Sequence, residues 1–302
     1  MATSEQALAG ELLLGAPRGI SSRVLSSLAS FARRKPIGAA CAVFLVVIFI
    51  MAIAAPLIAT HDPTVTDTPN RLLSPRSGHI LGTDHLGRDI WSQLVHGARV
   101  SLYIGYGGMA IALLVGTTIA LTSGYFGGRV DLVLQRGVDS FQAMPGLLVI
   151  MSIVTILEPS ILTLTLTLGV LFGIGESRVI RSSVLAIKGM PYVDAAKAMG
   201  ASPWRVILRH ILPNIVAIII VLGSINVARI ILVEATLSFL GFGIPPPDPT
   251  WGQMLSGATT RFMILAPWMA IAPAVALSLT VLAFNLFGDA LRDVLDPRLR
   301  GT

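Results

Sequence analysis

Cysteine is nearly missing from this 302-residue chain; Cys41 is the single one, so no intrachain disulfide can hold the fold. Charge is also scarce, at 13% Asp, Glu, Lys and Arg, about half the share of an ordinary soluble domain at about 25%. No Gly-x-x-x-x-Gly-Lys-Ser/Thr loop occurs, which excludes ATP binding by that route. Gly-x-Ser-x-Gly, His-Glu-x-x-His and Cys-x-x-Cys are missing too, so nothing supports an enzyme. No internal repeat is visible, which argues against a secondary transporter built from inverted halves.

What is present is apolar. Hydrophobic residues make up 54% of the chain, and the mean hydropathy is +0.78. Runs near the roughly 18 residues that cross a bilayer recur at Ile37–Ala59, Val100–Ser123, Ser140–Leu157, Pro159–Gly175, Ile211–Ala228 and Phe262–Gly288. The reading is an all-α polytopic integral membrane protein with six transmembrane helices in the lipid bilayer. The first run is too long for the apolar part of a signal peptide and reads as a retained anchor. With the N-terminus inside, sixteen of the 22 Lys and Arg residues fall on the inner side. Only Arg71, Arg76, Arg88, Arg99 and Arg261 lie outside, as the positive-inside rule requires. The net charge of +6 therefore reflects topology, and no nucleic-acid partner is needed. The predicted order is a cytoplasmic segment 1–35, a first span 36–59, an extracytoplasmic segment 60–97, a five-helix core 98–290 and a cytoplasmic tail 291–302. Within the core lie an inner loop 182–212 and a stiff, proline-rich outer loop 241–261.

The inner loop contains Met190–Trp204, a soluble-looking island that reads as two short helices meeting at a glycine. Pro191 suits a first helical turn and Gly200 the left-handed position past a helix end. Ser202 offers an N-cap oxygen ahead of Pro203. Ala195 and Ala196 permit close approach, while Met199 and Trp204 supply apolar contact area. In the second span, Gly108, Ala112, Gly116, Ala120 and Gly124 recur every four residues and form one small-residue stripe suited to helix packing in lipid.

Arg229 lies inside the fifth span, where an unpaired charge is expensive. Asn226 is one turn earlier on the same face, so both are candidates to line a translocation pathway and meet an anionic part of a substrate. Glu234, at i+5, is too far round to pair with Arg229. Asp139 is expected to pair with a neighbouring basic residue such as Arg136. Gly82–Asp89 reads as a fixed outer-face structural element, with contact to a substrate protein as the sharper alternative, and the i, i+4 spacing lets Asp84 and Arg88 pair on a short helical turn. His61, His79, His85 and His96 share the outer segment, but their spacings match no tight metal site, and no metal is expected.

Several motifs together carry a resemblance. Asp194-Ala195-Ala196-x-x-x-Gly200, followed after nine residues by His210-Ile211-Leu212-Pro213, resembles the Glu-Ala-Ala…Gly…Ile-x-Leu-Pro signature of ABC importer permease subunits. Asp194 replaces Glu and keeps its charge near a helix N-terminus, while His210 replaces Ile. Leu81-Gly82-Thr83-Asp84-His85-Leu86-Gly87-Arg88-Asp89 and Gly97-Ala98-Arg99-Val100-Ser101-Leu102 narrow the match. So do Leu237–Gly243 and Asn285–Asp293. The set is similar to the C-type permease of dipeptide and oligopeptide ABC importers, a group that includes nickel and glutathione systems, over residues 30 to 300. The resemblance implies a type I importer permease fold, with Asp194, Ala195, Ala196, Met199, Gly200 and Trp204 in a cytoplasmic coupling-helix pair docking on an ATPase. It further implies a second permease subunit, two ATP-binding subunits and an extracytoplasmic substrate-binding protein. ATP and magnesium belong to those ATP-binding subunits, with no cofactor on this chain. The competing classes are a secondary transporter or channel acting without an ATPase, and a membrane scaffold.

Overall fold

The computed structural model describes residues 29–256 and 258–295. Among them every regular element is helical, and the only extended pairings are two isolated bridges, Arg76 with His79 and Thr83 with Asp89. Helix α1 spans Pro36–Ile53, α2 Ile90–Phe126, α3 Gly128–Gln142, α4 Gly146–Leu157, α5 Ile161–Lys188 and α6 Pro191–Ala198. Helix α7 runs over Pro203–Phe239 and α8 over Trp268–Leu295.

The boundaries have local causes. Pro36 occupies the first turn of α1, where its missing N–H costs nothing. Asp89 caps α2 by accepting from the Ser92 amide, and Ser160 caps α5 by accepting from the Thr163 amide. Helix α2 stops at Gly127, whose φ of 66° ends the helical run. In α7 the turn Ile207–Ile211 widens to a π-turn just before Pro213. Pro213 lacks an N–H and its ring crowds the carbonyl one turn back, so the chain widens there and then continues as helix.

Five helices, α1, α2, α5, α7 and α8, are long and apolar enough to cross a membrane. The expected third span, Ser140–Leu157, differs. It is divided between α3 and α4, whose axes meet at 86°. Pro145 removes a donor and disfavours helix at Met144. The 12 residues of α4 rise only about 18 Å, short of the roughly 30 Å hydrocarbon core. Six crossings result only when this bent pair counts as one. Other runs are longer than hydropathy suggested: α2 begins ten residues before Val100, and α5 continues past Gly175 to Lys188.

Helix α2 is the axis of the bundle and packs along α5, α7 and α1, while α8 closes against α7 and α1. The main core gathers Leu102, Ile104, Leu164, Leu168, Ile230 and Ile231 from α2, α5 and α7. A second cluster, with Ala120, Ile180, Val184, Val193, Val206 and Ile211, sits where α2 and α5 meet α6 and the start of α7.

The two ends of the bundle are built differently. At one, residues 59–89 fold into a cap over the start of α2. Asp84 is its hub, accepting from the Leu86 and Arg88 amides, Arg88 Nε and Gln93 Nε2 at 2.8–3.0 Å. Asp84 and Arg88 therefore pair as expected, but across a tight turn and not on a helix. The loop 241–261 is anchored at the same end by Trp251, which is fully buried and donates from Nε1 to the Leu94 carbonyl at 3.0 Å. Nearby, Glu234 accepts from Ser238 at 2.8 Å and from Ser101 at 3.4 Å, so its partners are hydroxyls and not Arg229. The elbow between α6 and α7 occupies the opposite end.

Candidate functional site

The elbow is held by a complete helix stop. Gly200, with φ of 81°, donates to the Lys197 carbonyl at 2.9 Å, and Ala201 donates to the Ala196 carbonyl at 3.1 Å. These two bonds are the pair that closes a helix through a left-handed glycine. A Cβ on Gly200 would meet nothing within 4 Å, so conformation, not crowding, selects glycine there. Pro191 and Pro203 both occupy first turns. Ser202 holds the N-cap backbone position but makes no side-chain cap hydrogen bond, a departure from expectation. The second short helix is also not separate, since it runs through the π-turn into α7.

The elbow has two faces. Val193, Ala196, Val206 and Ile207 point inward and are buried; Val193 and Val206 lie on Ala120, Ile180 and Val184 of α2 and α5. Ala196 is thus an internal packing residue, and Ala195 alone of the alanine pair is exposed. The outward face carries Met199 at 82% and Trp204 at 63% exposure, with Met190 and Tyr192 beside them. Asp194 is exposed in the first turn of α6 and pairs with Lys197 at 2.9 Å. Lys188 further braces the elbow by donating to the Gly124 carbonyl at 3.3 Å. Phe126, at the end of α2, meets the Trp204 ring edge-on. Large apolar side chains left in the open next to an exposed carboxylate are the surface pattern of a docking site.

The small-residue stripe is the seam between α2 and α5. Gly108, Ala112, Gly116, Ala120 and Gly124 are all buried. A Cβ on Gly116 would stand 2.8 Å from the Gly173 carbonyl oxygen, and one on Gly173 would stand 2.7 Å from that of Ala112. The backbones therefore touch. The facing stripe, Thr165, Gly169, Gly173 and Ser177, also recurs every four residues and is buried. Sequence reading missed it because the fourth apolar run is broken by Thr and Gly.

Asn226 and Arg229 are brought together as the spacing predicts. Arg229 Nη1 donates to Asn226 Oδ1 at 3.1 Å, and Asn226 Nδ2 donates to the Leu222 carbonyl at 3.0 Å. The structure adds Glu176 of α5, its Oε1 4.0 Å from Arg229 Nη1. Asn226 and Glu176 are buried, whereas the Arg229 side chain is 66% exposed. It opens into a cleft of about 340 Å³ whose walls include Gln142, Met144, Ile150, Phe172 and Glu176. Glu176 is not evident from hydropathy because the apolar run stops at Gly175; the four-residue stripe that continues to Ser177 is the signal that keeps it inside the helix. Asp139 pairs with Arg178, and its contact with Arg136 is long at 3.9 Å. Arg181 binds Asp131 in a two-pronged pair that ties α5 to α3.

At the cap end of the bundle, the four histidines part company. His85 stacks on Phe262, and its Nδ1 finds no partner among the described residues. Burial holds its pKa below the usual value, outweighing the pull of Asp84. His96 bonds the Ser92 carbonyl. His61 and His79 instead converge on Asp89. Burial pushes the Asp89 carboxyl up, but hydrogen bonds from His79, Ser92 and Thr60 outweigh it and leave the group below its usual range.

Membrane-length helices packed backbone to backbone, a charged cleft and an apolar elbow at one end define a polytopic permease-type membrane protein. Residues 112–301 match the family described as binding-protein-dependent transport system inner membrane component, and residues 32–75 match the N-terminal transmembrane domain of oligopeptide transport permease C. The chain belongs to this family of binding-protein-dependent transport permeases. It is 37% identical over 268 residues to the glutathione transport system permease protein of Pectobacterium atrosepticum, covering 88% of this chain and 89% of that one. A dipeptide transport system permease protein of Alkalihalophilus pseudofirmus is 39% identical over 251 residues, 83% of this chain and 82% of its own. A probable D,D-dipeptide transport system permease protein of Escherichia coli is 38% identical over 267 residues, 88% and 89% respectively.

Proposed function

We propose that this chain is the membrane subunit of an ATP-driven importer for peptides, forming half of the translocation pathway beside a second permease. Two ATP-binding subunits would carry ATP and magnesium, and an extracytoplasmic binding protein would deliver the cargo. Both termini and the elbow would face the cytoplasm, as the distribution of basic residues favours. The observation that carries the reading is the elbow, with Met199 and Trp204 presented to solvent while Val193 and Val206 are rooted in α2 and α5. An ATPase gripping the outward face would move α2, α5 and α7 as it closed, biasing the bundle between two states through differential binding. Glu176 and Arg229 would line the cleft on the pathway side, with buried Asn226 holding the Arg229 guanidinium from behind and Arg229 offered to a carboxylate of the passing peptide.

Purifying the tagged chain from its native membrane in mild detergent and identifying its companions tests this. ATP-binding subunits should come with the wild type and be depleted with Gly200→Val, since φ > 0 costs a β-branched residue well over about 1 kcal/mol. A chain that emerged alone and still drove gradient-dependent uptake in vesicles would overturn the reading in favour of a secondary transporter.

A further inference from the structure

Three potential ligands from separate stretches of the cap meet at one point. His61 follows the end of α1, His79 lies in the middle of the cap and Asp89 caps α2, and each offers one donor atom within 4.8 Å of the others. His79 Nδ1 is 2.9 Å and His61 Nδ1 3.9 Å from Asp89 Oδ1. Donors on a tetrahedral zinc ion, at bonds of about 2.0–2.2 Å, stand roughly 3.3 Å apart, a spacing that the two observed distances bracket. The imidazole rings lie face to face with centroids 4.7 Å apart; His61 is nearly half exposed at 46% of its side chain, and its Nδ1 also lies 3.1 Å from Thr60 Oγ1, a contact that a bound ion would replace.

The surroundings are arranged as a supporting shell. The other Asp89 oxygen, Oδ2, accepts from the Ser92 amide at 2.9 Å, the Ser92 hydroxyl at 2.7 Å and Thr60 at 3.2 Å. That orientation leaves Oδ1 turned to the two rings. Ser92 Oγ also accepts from the His61 amide at 3.0 Å, tying the backbone of one ligand to the support of another. Outer-shell bonds of this kind hold ligands in binding geometry and raise affinity.

We propose that His61, His79 and Asp89 form a binding site for a borderline divalent cation of the zinc class, with the fourth position open to water. Two imidazoles and a carboxylate are a donor set for such an ion and a poor one for calcium or magnesium, which take oxygens. Sequence spacing does not show the site, because the ligands are 18 and 10 residues apart and only the folded cap joins them. Bound metal would bridge the chain leaving α1 to the first residue before α2, fastening the cap. The cargo of the transporter plays no part in this site.

The test uses the full chain in detergent with its affinity tag cleaved off, titrated with zinc chloride against a chromophoric chelator. Wild type should retain one zinc per chain at micromolar free zinc and gain thermal stability with it. His61→Ala should bind at least about tenfold more weakly and lose the thermal gain, while its midpoint without metal stays near wild type because His61 is exposed. His96→Ala, a nearby histidine outside the cluster, should match wild type. Failure of wild type to hold zinc at micromolar concentration overturns the site, as does equal binding by wild type and His61→Ala.

Discussion

Arg229 and His85 carry ionisable groups under unusual constraint, and each makes a prediction of its own. Arg229 projects from the middle of α7 and, among the described residues, is countered only at 4.0 Å by Glu176 and by the Asn226 amide oxygen. A cation so loosely held within a span has to face protein or water. Arg229→Ala is therefore expected to fold and reach the membrane while uptake of peptide falls at least about tenfold, the loss typical of a charge-assisted contact worth about 1.5–3 kcal/mol. Unchanged uptake at equal expression would remove Arg229 from the pathway. His85 is the second case. Its pKa is lowered by burial, so the folded state favours the neutral ring. The stability this brings is complete above the unfolded value of about 6.5 and declines as pH falls through the folded value. The thermal midpoint should drop between pH 7.5 and pH 5, and His85→Phe, which keeps the stacking on Phe262, should shrink the drop. An identical drop in the variant would rule His85 out as its source.

Helices meet here through backbone contact, and that sets what each element tolerates. The α2–α5 seam has no room at Gly173, where a Cβ falls 2.7 Å from a carbonyl oxygen. Gly173→Val should lower stability by about 1–3 kcal/mol or more, as overpacking does, read as a lower thermal midpoint in detergent. Gly137, where a Cβ meets nothing within 4 Å, is the matched control, and Gly137→Ala should be silent. Equal damage from both would mean that the seam is not close-packed. Much of this was legible in sequence, because small residues at every fourth position of α2 must share one face. The elbow was legible too, since Pro191, Gly200 and Pro203 each have one favoured place in a helix. The 86° break between α3 and α4 was not, because hydropathy averaged over Ser140–Leu157 hides a proline whose effect is geometric. Glu176 and the His61–His79–Asp89 cluster escaped for opposite reasons: the first lies just past an apolar run, and the second needs the chain to fold back on itself.

Across the whole molecule the cap and elbow sit at opposite ends of α2, a single helix of 37 residues. Helix α2 also carries the buried small-residue stripe, the Leu94 carbonyl that accepts from Trp251, and the Phe126 ring against Trp204. The two ends are thus joined by one rod with few hinges. Truncating the outward face of the elbow should leave cargo delivery intact while cutting the link to ATP. Met199→Ala with Trp204→Ala, in the assembled complex in nanodiscs, is expected to reduce substrate-stimulated ATP hydrolysis several-fold with only a small change in the thermal midpoint of the chain, since both residues are mostly exposed and only the edge contact of Trp204 with Phe126 is lost. Hydrolysis that still rises normally with substrate would show that energy passes elsewhere. Membership of the transport permease family was readable from the set of motifs taken together, Asp194–Pro213 with Leu81–Asp89, Gly97–Leu102, Leu237–Gly243 and Asn285–Asp293. Which faces those motifs turn outward was not, because Ala195 and Ala196 are chemically alike and only packing separates them.

The aromatic ring at the elbow also gives the molecule an optical property. Of its four tryptophans, Trp251 is sealed in the core, Trp91 and Trp268 are half-buried at the cap end, and Trp204 alone stands mostly in water. Its indole should emit toward the red and be readily quenched by acrylamide, while Trp251 stays blue and protected. Any partner seated on the elbow would dim that quenching and shift the emission, so the chain carries a built-in lamp for the moment of engagement.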